Sequence, residues 1–348
     1  MYTQVVVTKA KGITIIIKVM SYGILLWGAA AEVQSIFVLQ KRAVRGIRCV
    51  SPRKEDNMAY LNNGTSHIHL TNNSSLMYYI SIIVDIGSAF GILVNLVAFV
   101  FILFGNKVKS AKQKLLLTIL TLNNAAALIA LLCAQLLYQL SPTASKSRYY
   151  CALYVVSRMF GINGGCTDVV IAIDRFFAIR NPIFYSHRIT TSTIRKRLCA
   201  ILLLASLFTL APLMGLGAYY NAEKETCISF NGATNDLDYA YGIAFVIFGF
   251  SICITLVLCN IGVVTTLSKY TLNKKSMKSA EKQEVVFSKL IVAISMIFII
   301  CWLPHLITDA LYLALEDIKS LWNFKKIANL LILLNFILSP IIQMFMLK

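Results

Sequence analysis

Charged residues are scarce in this chain. Only 14% of its 348 residues are Asp, Glu, Lys or Arg, whereas 58% are apolar and the mean hydropathy is +0.72. In a soluble domain roughly a quarter of the residues are charged. Because so few charges cannot cover a surface that faces water, the composition excludes a soluble globular enzyme, a disordered chain and a DNA-binding module as first interpretations.

Histidine and cysteine are also sparse. The chain has four histidines, too few for a His-based metal site, and nine cysteines, too few for a disulfide scaffold. No Gly-rich phosphate loop and no strand pattern of period two competes with a helical interpretation. An intramembrane hydrolase would need a nucleophile–base pair or a set of metal ligands within helices, and His305 is the only histidine in a predicted helix. The sequence therefore predicts no enzyme activity, no cofactor and no metal site.

Long apolar runs are what the chain has instead. A helix needs about 20 apolar residues to cross the hydrocarbon core of a membrane. Seven strong stretches of this kind occur, at residues 78–104, 115–139, 151–179, 198–219, 239–267, 289–314 and 325–347. A weaker stretch at 13–31 contains Lys18, and no long polar stretch could form a separate domain. We therefore predict an all-α membrane protein in which residues 78–347 form a seven-transmembrane helix bundle.

The basic residues predict the orientation of this bundle. The net charge is +18, and the Lys and Arg residues concentrate in the loops that follow the first, third and fifth apolar stretches. The residues concerned are Lys107, Lys109, Lys112, Lys114, Arg180, Arg188, Arg195, Lys196, Arg197, Lys269, Lys274, Lys275, Lys278, Lys282 and Lys289. Membrane proteins keep such loops in the cytoplasm. The positive charge therefore indicates contact with membrane lipids rather than with nucleic acid. We predict a multi-pass plasma-membrane protein whose N-terminus is extracellular.

Sequons support the same orientation. Asn63, Asn72 and Asn73 each begin an N-x-Ser/Thr pattern, just before the first apolar stretch. We therefore expect residues 58–77 to form an extracellular glycosylated tail.

Residues 1–57 admit three interpretations. The stretch at 13–31 ends in Ala29-Ala30-Ala31, which a signal peptidase could accept, but the following basic segment from Lys41 to Lys54 is unusual outside a cell. The segment is a cleaved signal peptide, or an extension upstream of a true translation start at Met58, or a retained extra helix. We favour the first two equally, and N-terminal sequencing of the mature protein distinguishes them from the third.

Two motifs carry a family resemblance. Asp174-Arg175-Phe176 is followed by Asn181-Pro182 and Tyr185, and Cys301-Trp302-Leu303-Pro304 lies in the sixth stretch. Together they resemble the DRY segment and the CWxP motif of rhodopsin-like (class A) G protein-coupled receptors, over about residues 77–347. Asn95, Asn124, Asn335 and Pro340 fall at polar or proline positions of that family.

The resemblance implies an activation mechanism. In the family, an acidic residue at the cytoplasmic start of helix six bridges to the DRY arginine, so Arg175 and Glu284 are candidates for a lock beside Asp174. The alternative is that Glu284 is only a solvated residue among lysines. Pro304 interrupts its helix and produces a kink, which makes Trp302 a candidate switch; the alternative is that Trp302 only fills the core. The resemblance also implies a disulfide between Cys151 and Cys227.

The ligand is indicated mainly by exclusion. Ser157 stands where amine receptors place an aspartate, and residues 327–347 hold no lysine for retinal, so neither a monoamine receptor nor an opsin is expected. Arg158 inside a membrane helix is a functional candidate that needs a partner, either Asp85 or Asp309, or the carboxylate of an oxidised lipid, an organic acid or a peptide C-terminus. By resemblance, Trp302 and His305 line the pocket floor.

Some features depart from the family pattern. Asn124 replaces an aspartate, and the NPxxY segment reads Ser339-Pro340-Ile341-Ile342-Gln343. Prostanoid receptors and nematode chemosensory receptors are the subfamilies with similar features. The leading prediction is a receptor that binds an extracellular ligand and catalyses nucleotide exchange on a heterotrimeric G protein. The alternative is a seven-helix receptor-like scaffold that does not couple.

Overall fold

The computed structural model describes residues 66–105, 110–141, 146–217, 219–222, 225–227, 235–272, 279–314 and 321–347. The chain divides into two units, Met1–Tyr79 and Ile80–Lys348. In the first unit only the backbone of the beginning of one helix is described, so the interpretations of residues 1–57 and the sequon at Asn63 lie outside the described residues. The packing below is that of the second unit.

Eight α-helices form nearly all of the described structure. In chain order they are α1 (Ser66–Phe104), α2 (Ala111–Leu140), α3 (Arg148–Arg180), α4 (Pro182–Arg188), α5 (Thr191–Leu210), α6 (Asp236–Leu272), α7 (Ser279–Ala314) and α8 (Leu321–Leu347). The sequence did not predict the short α4, which begins at a proline whose fixed φ suits a first helical position. The first helix begins at Ser66 rather than at residue 78, so the backbone at Asn72 and Asn73 is helical.

A short hairpin connects α5 to α6. After α5 the chain makes a 3-10 turn at Ala211–Met214, and the strands β1 (Tyr220–Asn221) and β2 (Thr226–Cys227) then pair antiparallel, with Tyr220 opposite Cys227. The hairpin was not predicted, because two-residue strands leave no periodic pattern in a sequence.

Six of these helices are long and apolar enough to cross a membrane. The spans are Ser81–Phe104, Ala111–Leu140, Thr191–Met214, Asp236–Ser268, Glu284–Ala314 and Phe324–Phe345. The predicted stretch 151–179 is not among them, so the expectation of seven strongly apolar stretches was wrong for α3.

The position of α3 explains its polarity. This helix packs against α2, α5, α6 and α7, and every residue from Gly161 to Asp168 is buried. A helix that meets protein on all sides does not need a uniformly apolar surface, because its polar groups find partners inside the protein rather than lipid. The same argument applies in reverse to α5, whose most apolar window is only 22% buried.

One apolar cluster supports the end of the helices that holds Arg175. Its members come from α1, α2, α3, the α4–α5 connection, α5 and α7: Ile102, Leu116, Leu117, Leu120, Ile171, Ile189, Ile194, Leu198, Phe287, Leu290, Ile291 and Ile294. Membrane helices gain little from the hydrophobic effect when they associate, so close packing of such side chains stabilises the contact. The cluster fixes the backbone on which the functional side chains stand.

Candidate functional site

Arg175 is the largest fully buried side chain of the described structure, with 1% of the residue exposed. Its Nη1 lies 2.5 Å from Oε2 of Glu284 on α7. Its Nε donates to Oδ2 of Asp174 at 3.1 Å, and its Nη2 contacts the same oxygen. The cation therefore has one carboxylate partner on its own helix and one across the interface, as a buried arginine requires.

The two side chains of this ion pair, Arg175 on α3 and Glu284 on α7, differ sharply in their exposure. The side chain of Arg175 is 2% exposed, whereas that of Glu284 is 48% exposed. Water can therefore solvate the Glu284 carboxylate when it leaves the pair, while Arg175 keeps Asp174. The structure brings Arg175 and Glu284 together as the resemblance implied, and their role in activation remains a prediction.

Tyr185 and Gln113 complete this network, and the sequence did not assign either of them. The Tyr185 hydroxyl donates to Oδ1 of Asp174 at 2.9 Å and accepts from Nη2 of Arg175 at 3.2 Å. Burial and, second, the charge of Asp174 raise the pKa of Tyr185, which keeps the phenol protonated as a donor. Gln113 on α2 donates to Oε1 of Glu284 at 3.0 Å. Tyr185 belonged to the quoted motif, but Gln113 stood in no recognisable pattern.

Trp302 packs into a recess that glycines leave on α3. Its ring stacks on Phe298 with the centroids 5.2 Å apart. A Cβ at Gly161 would lie 3.0 Å from Trp302, and one at Gly165 would lie 2.6 Å from Phe298. Small residues four apart allow close approach between membrane helices. The spacing of Gly161 and Gly165 is visible in the sequence, but the sequence did not predict that Trp302 and Phe298 pack against these glycines.

A polar core connects α1, α2 and α8. Asn95 donates to the carbonyl oxygens of Gly91 and Phe336, at 2.8 and 3.0 Å. The Thr121 hydroxyl donates to Oε1 of Gln343 at 3.0 Å, so the residue that stands in place of the motif tyrosine bonds α8 to α2. Asn124 and Asn335 are also buried here, at 2% and 4% exposure, and Pro340 lies inside α8.

A charged cluster lies at the Cys151 end of the helices. His305 Nε2 is 3.5 Å from Oδ2 of Asp309, which is 2% exposed. Lys325 on α8 interacts electrostatically with Asp309 and with Arg158, and Arg158 also interacts with His305. The five-residue neighbourhood is completed by Phe245, whose ring lies 5.3 Å from the Arg158 guanidinium. Lys325 was missed in the sequence because it stands at the edge of the last apolar stretch and looked like a loop residue.

Two other candidates, Ser157 and Asp85, form hydrogen bonds with residues outside the charged cluster. The Ser157 hydroxyl donates to the Tyr154 carbonyl oxygen of its own helix at 2.9 Å. Asp85 accepts from Gln139 Nε2 at 2.5 Å. Trp302 Nε1, His305 Nδ1 and the second carboxylate oxygen of Asp85, Oδ1, are buried and have no hydrogen-bond partner among the described residues. Such groups are suited to a bound molecule that supplies the missing partner.

The predicted disulfide is confirmed. Cys151 at the start of α3 is bonded to Cys227 of β2, which lies 76 positions further along the chain. Nearby, Nε of Arg148 donates to the Tyr219 hydroxyl, and the guanidinium lies 5.6 Å from the same ring. These contacts hold the hairpin against α3, at the same end of the helices as the charged cluster.

Comparisons with known proteins agree with this arrangement. The family model described as 7 transmembrane receptor (rhodopsin family) matches residues 94–342. The chain is 25% identical over 173 residues to a Gq-coupled rhodopsin of Mizuhopecten yessoensis, over 45% of this chain and 35% of that protein. It is 25% identical over 170 residues to the prostaglandin F2-alpha receptor of Homo sapiens, over 47% of each. The chain therefore spans less than half the length of either relative.

Proposed function

Because the chain belongs to the rhodopsin family of seven-transmembrane receptors, we propose that it binds an extracellular ligand and catalyses nucleotide exchange on a heterotrimeric G protein. In this proposal α3 is the seventh membrane-spanning helix, together with the six apolar ones. The Arg175 end faces the cytoplasm of a plasma-membrane receptor and the Cys151 end faces the outside. The basic residues that follow α1, α3 and α6 support that orientation.

The observation that carries the proposal is the ion pair between Arg175 and Glu284. It joins α3 to the start of α7 at 2.5 Å, so the two helices are held together at the cytoplasmic end. Activation breaks the pair, moves the start of α7 outward and opens a cleft for the G protein, as a shift between two packings. Asp174 keeps Arg175 paired when Glu284 leaves, so the open state does not leave a buried cation without a carboxylate.

Pro304 and Trp302 connect the ligand end to that lock. Pro304 lies inside α7 between the charged cluster and Glu284, and a proline kink lets a small displacement at one end swing the other. Trp302 lies one turn below His305, against the recess of α3. The polar core around Asn95, Asn124, Asn335 and Pro340 is the region of α8 and its neighbours that repacks when α7 moves.

The ligand in this proposal is an acid. Arg158 and Lys325 carry two positive charges, and Asp309 carries one negative charge in the same cluster. A carboxylate would be attracted to these two basic residues, and it can accept hydrogen bonds from arginine in a bidentate manner. Trp302 Nε1 and His305 Nδ1, which have no hydrogen-bond partner among the described residues, lie at the same end of α7. A relative that is named for prostaglandin F2-alpha makes that lipid acid the first compound to test.

The ligand part of the proposal has its own test. Arg158→Gln should weaken a carboxylate agonist by roughly tenfold or more, since a hydrogen bond to a charged group contributes about 1.5–3 kcal/mol. The potency of the methyl ester of the same agonist should hardly change. Equal losses for acid and ester would mean that Arg158 supports the fold rather than recognising the carboxylate.

A second candidate function is a receptor-like scaffold that does not couple. The bond from Thr121 to Gln343 favours it, because the family motif has a tyrosine at the Gln343 position and here the glutamine ties α8 to α2.

Nucleotide exchange without any ligand separates the two candidates. Membranes bearing wild type, Glu284→Ala, and Glu284→Ala with Arg175→Ala are compared on a panel of G proteins. Because Glu284 is half exposed, its pair contributes on the order of 1 kcal/mol, so Glu284→Ala should raise basal exchange about fivefold. The double variant should abolish exchange. Glu281→Ala removes the same charge one turn earlier in α7 and serves as the control. Equal rates in all variants and in empty membranes, at confirmed surface expression, would support the scaffold.

A further inference from the structure

Positive charge and lipid-facing surface coincide at the start of α5. Arg195, Lys196 and Arg197 are consecutive and exposed, and Arg188 at the end of α4 is exposed as well. The sequence holds no Asp or Glu between Asp174 and Glu223. None of the four basic residues takes part in an ion pair within the described structure. These four residues are called the basic collar below.

Helix geometry places part of the basic collar on the outer face of α5. Residues three, four and seven apart lie on one face of a helix, so Lys196 shares a face with Leu203, and Arg197 shares one with Leu204. Leu203 and Leu204 are 61% and 66% exposed. Since α5 is the least buried of the six spans, this face meets lipid. Lys196 and Arg197 therefore stand where the apolar part of the span gives way to headgroups.

The backbone beneath the basic collar is held firmly. Ile189 and Ile194 belong to the apolar cluster and are 7% and 4% exposed. Lys112 of α2 donates to the Ile189 carbonyl oxygen, and the Thr190 hydroxyl caps α5 by accepting from the backbone N–H of Thr193 at 3.2 Å. Binding of an anion would thus order only the basic side chains, which lowers the entropic cost of binding.

We propose that the basic collar binds the phosphorylated headgroup of a polyphosphoinositide. The basic collar has three guanidinium groups and one ammonium, in a part of the sequence without Asp or Glu. This composition matches a headgroup that carries several phosphates, because arginine binds phosphate oxygens in a bidentate manner. A zwitterionic headgroup offers no net charge to them. The lipid chains would then run along the outer face of α5 past Leu203 and Leu204. The cytoplasmic leaflet, where such lipids occur, is the one at this end in the proposed orientation.

Lipid binding to the purified full chain tests the site. The protein is titrated with phosphatidylinositol bisphosphate in phosphatidylcholine nanodiscs, and bound lipid is counted by native mass spectrometry. A basic residue near an anionic surface contributes roughly fivefold in affinity, so Lys196→Gln with Arg197→Gln should weaken binding by roughly 25-fold. Lys146→Gln with Lys289→Gln removes two exposed charges outside the basic collar and should leave binding unchanged. Arg188→Gln with Arg195→Gln is a second test pair, in case the first does not fold.

Three results would overturn the proposal. Equal weakening by the control pair would mean that only the overall positive field attracts the lipid. Equal binding of phosphatidylserine at matched total charge would mean that the headgroup is not recognised. Equal affinity for soluble inositol trisphosphate would mean that the lipid chains and the outer face of α5 play no part. Because these measurements need neither a G protein nor an agonist, they do not depend on coupling by the receptor.

Discussion

At the scale of single residues, Tyr185 supports the proposed lock through a neutral hydroxyl group rather than through a charge. Its hydroxyl contacts both Asp174 and Arg175, so it holds the guanidinium in the position from which Arg175 reaches Glu284. We expect Tyr185→Phe to raise basal nucleotide exchange by a factor of a few, because one hydrogen bond contributes about 1 kcal/mol net. Exchange on the responding G protein measures this.

The matched control is Tyr149→Phe, which removes a hydroxyl from a residue that is 88% exposed. Its basal rate should equal that of wild type. An unchanged rate in Tyr185→Phe as well would show that Asp174 and Glu284 alone hold Arg175, and the hydroxyl would then have no part in the lock.

The residues of this network show how far a sequence can be interpreted. Arg175 and Glu284 were found because charged residues are rare in membrane helices and one family motif names the arginine. Gln113 was not found, because a glutamine near the end of an apolar helix gives no signal until the structure places it 3.0 Å from Glu284. Lys325 was missed for a similar reason, since only the course of α8 shows that it lies near Asp309 and Arg158.

At the scale of elements, the contact between α3 and α7 depends on the absence of a side chain. A Cβ at Gly165 would lie 2.6 Å from Phe298, whereas a Cβ at the neighbouring Gly164 would meet Asn124 Oδ1 at an ordinary 3.6 Å. Gly165→Ala should therefore overpack the interface and cost about 1–3 kcal/mol. Gly164→Ala should be neutral or stabilise the helix by up to about 1 kcal/mol. Thermal unfolding of the purified receptor measures both changes.

The two glycine variants differ only in which neighbour the added methyl meets. A lower midpoint for Gly165→Ala, with raised basal exchange, would show that Phe298 and Trp302 hold α7 in the closed packing. Equal midpoints for both variants would contradict the argument, because they would show that Phe298 moves aside at no cost.

The sequence predicted the long helices but not the short elements. Apolar runs predicted the helices α1, α2 and α5 to α8. Each of these helices needs apolar residues because part of its surface meets lipid. The stretch at 151–179 also predicted α3, but this helix is less apolar than expected because its middle is buried in protein. The hairpin and α4 escaped prediction because they are too short to show a period, and their position depends on a disulfide and on packing.

At the scale of the whole molecule, two cross-links act at opposite ends of α3. The disulfide from Cys151 to Cys227 holds the hairpin at one end, and the pair of Arg175 with Glu284 holds α7 at the other. Sites that share no contacts have additive effects on free energy. If the lock is local, loss of the disulfide should leave the effect of Glu284→Ala unchanged.

A double-mutant cycle with Cys227→Ser and Glu284→Ala measures this independence. We expect Cys227→Ser to lower the thermal midpoint, because the bond closes a long loop for which chain entropy alone gives about 4 kcal/mol. That figure is an upper bound here, since helices inserted in a membrane are already restricted when the bond is absent. The fold increase in basal exchange caused by Glu284→Ala should be the same with and without the disulfide. Cys199→Ser, at an exposed free cysteine, should change neither quantity. A larger increase without the disulfide would instead mean that the hairpin end and the lock share one conformational equilibrium, in which case the ligand end of the receptor is already coupled to α7 before any ligand binds.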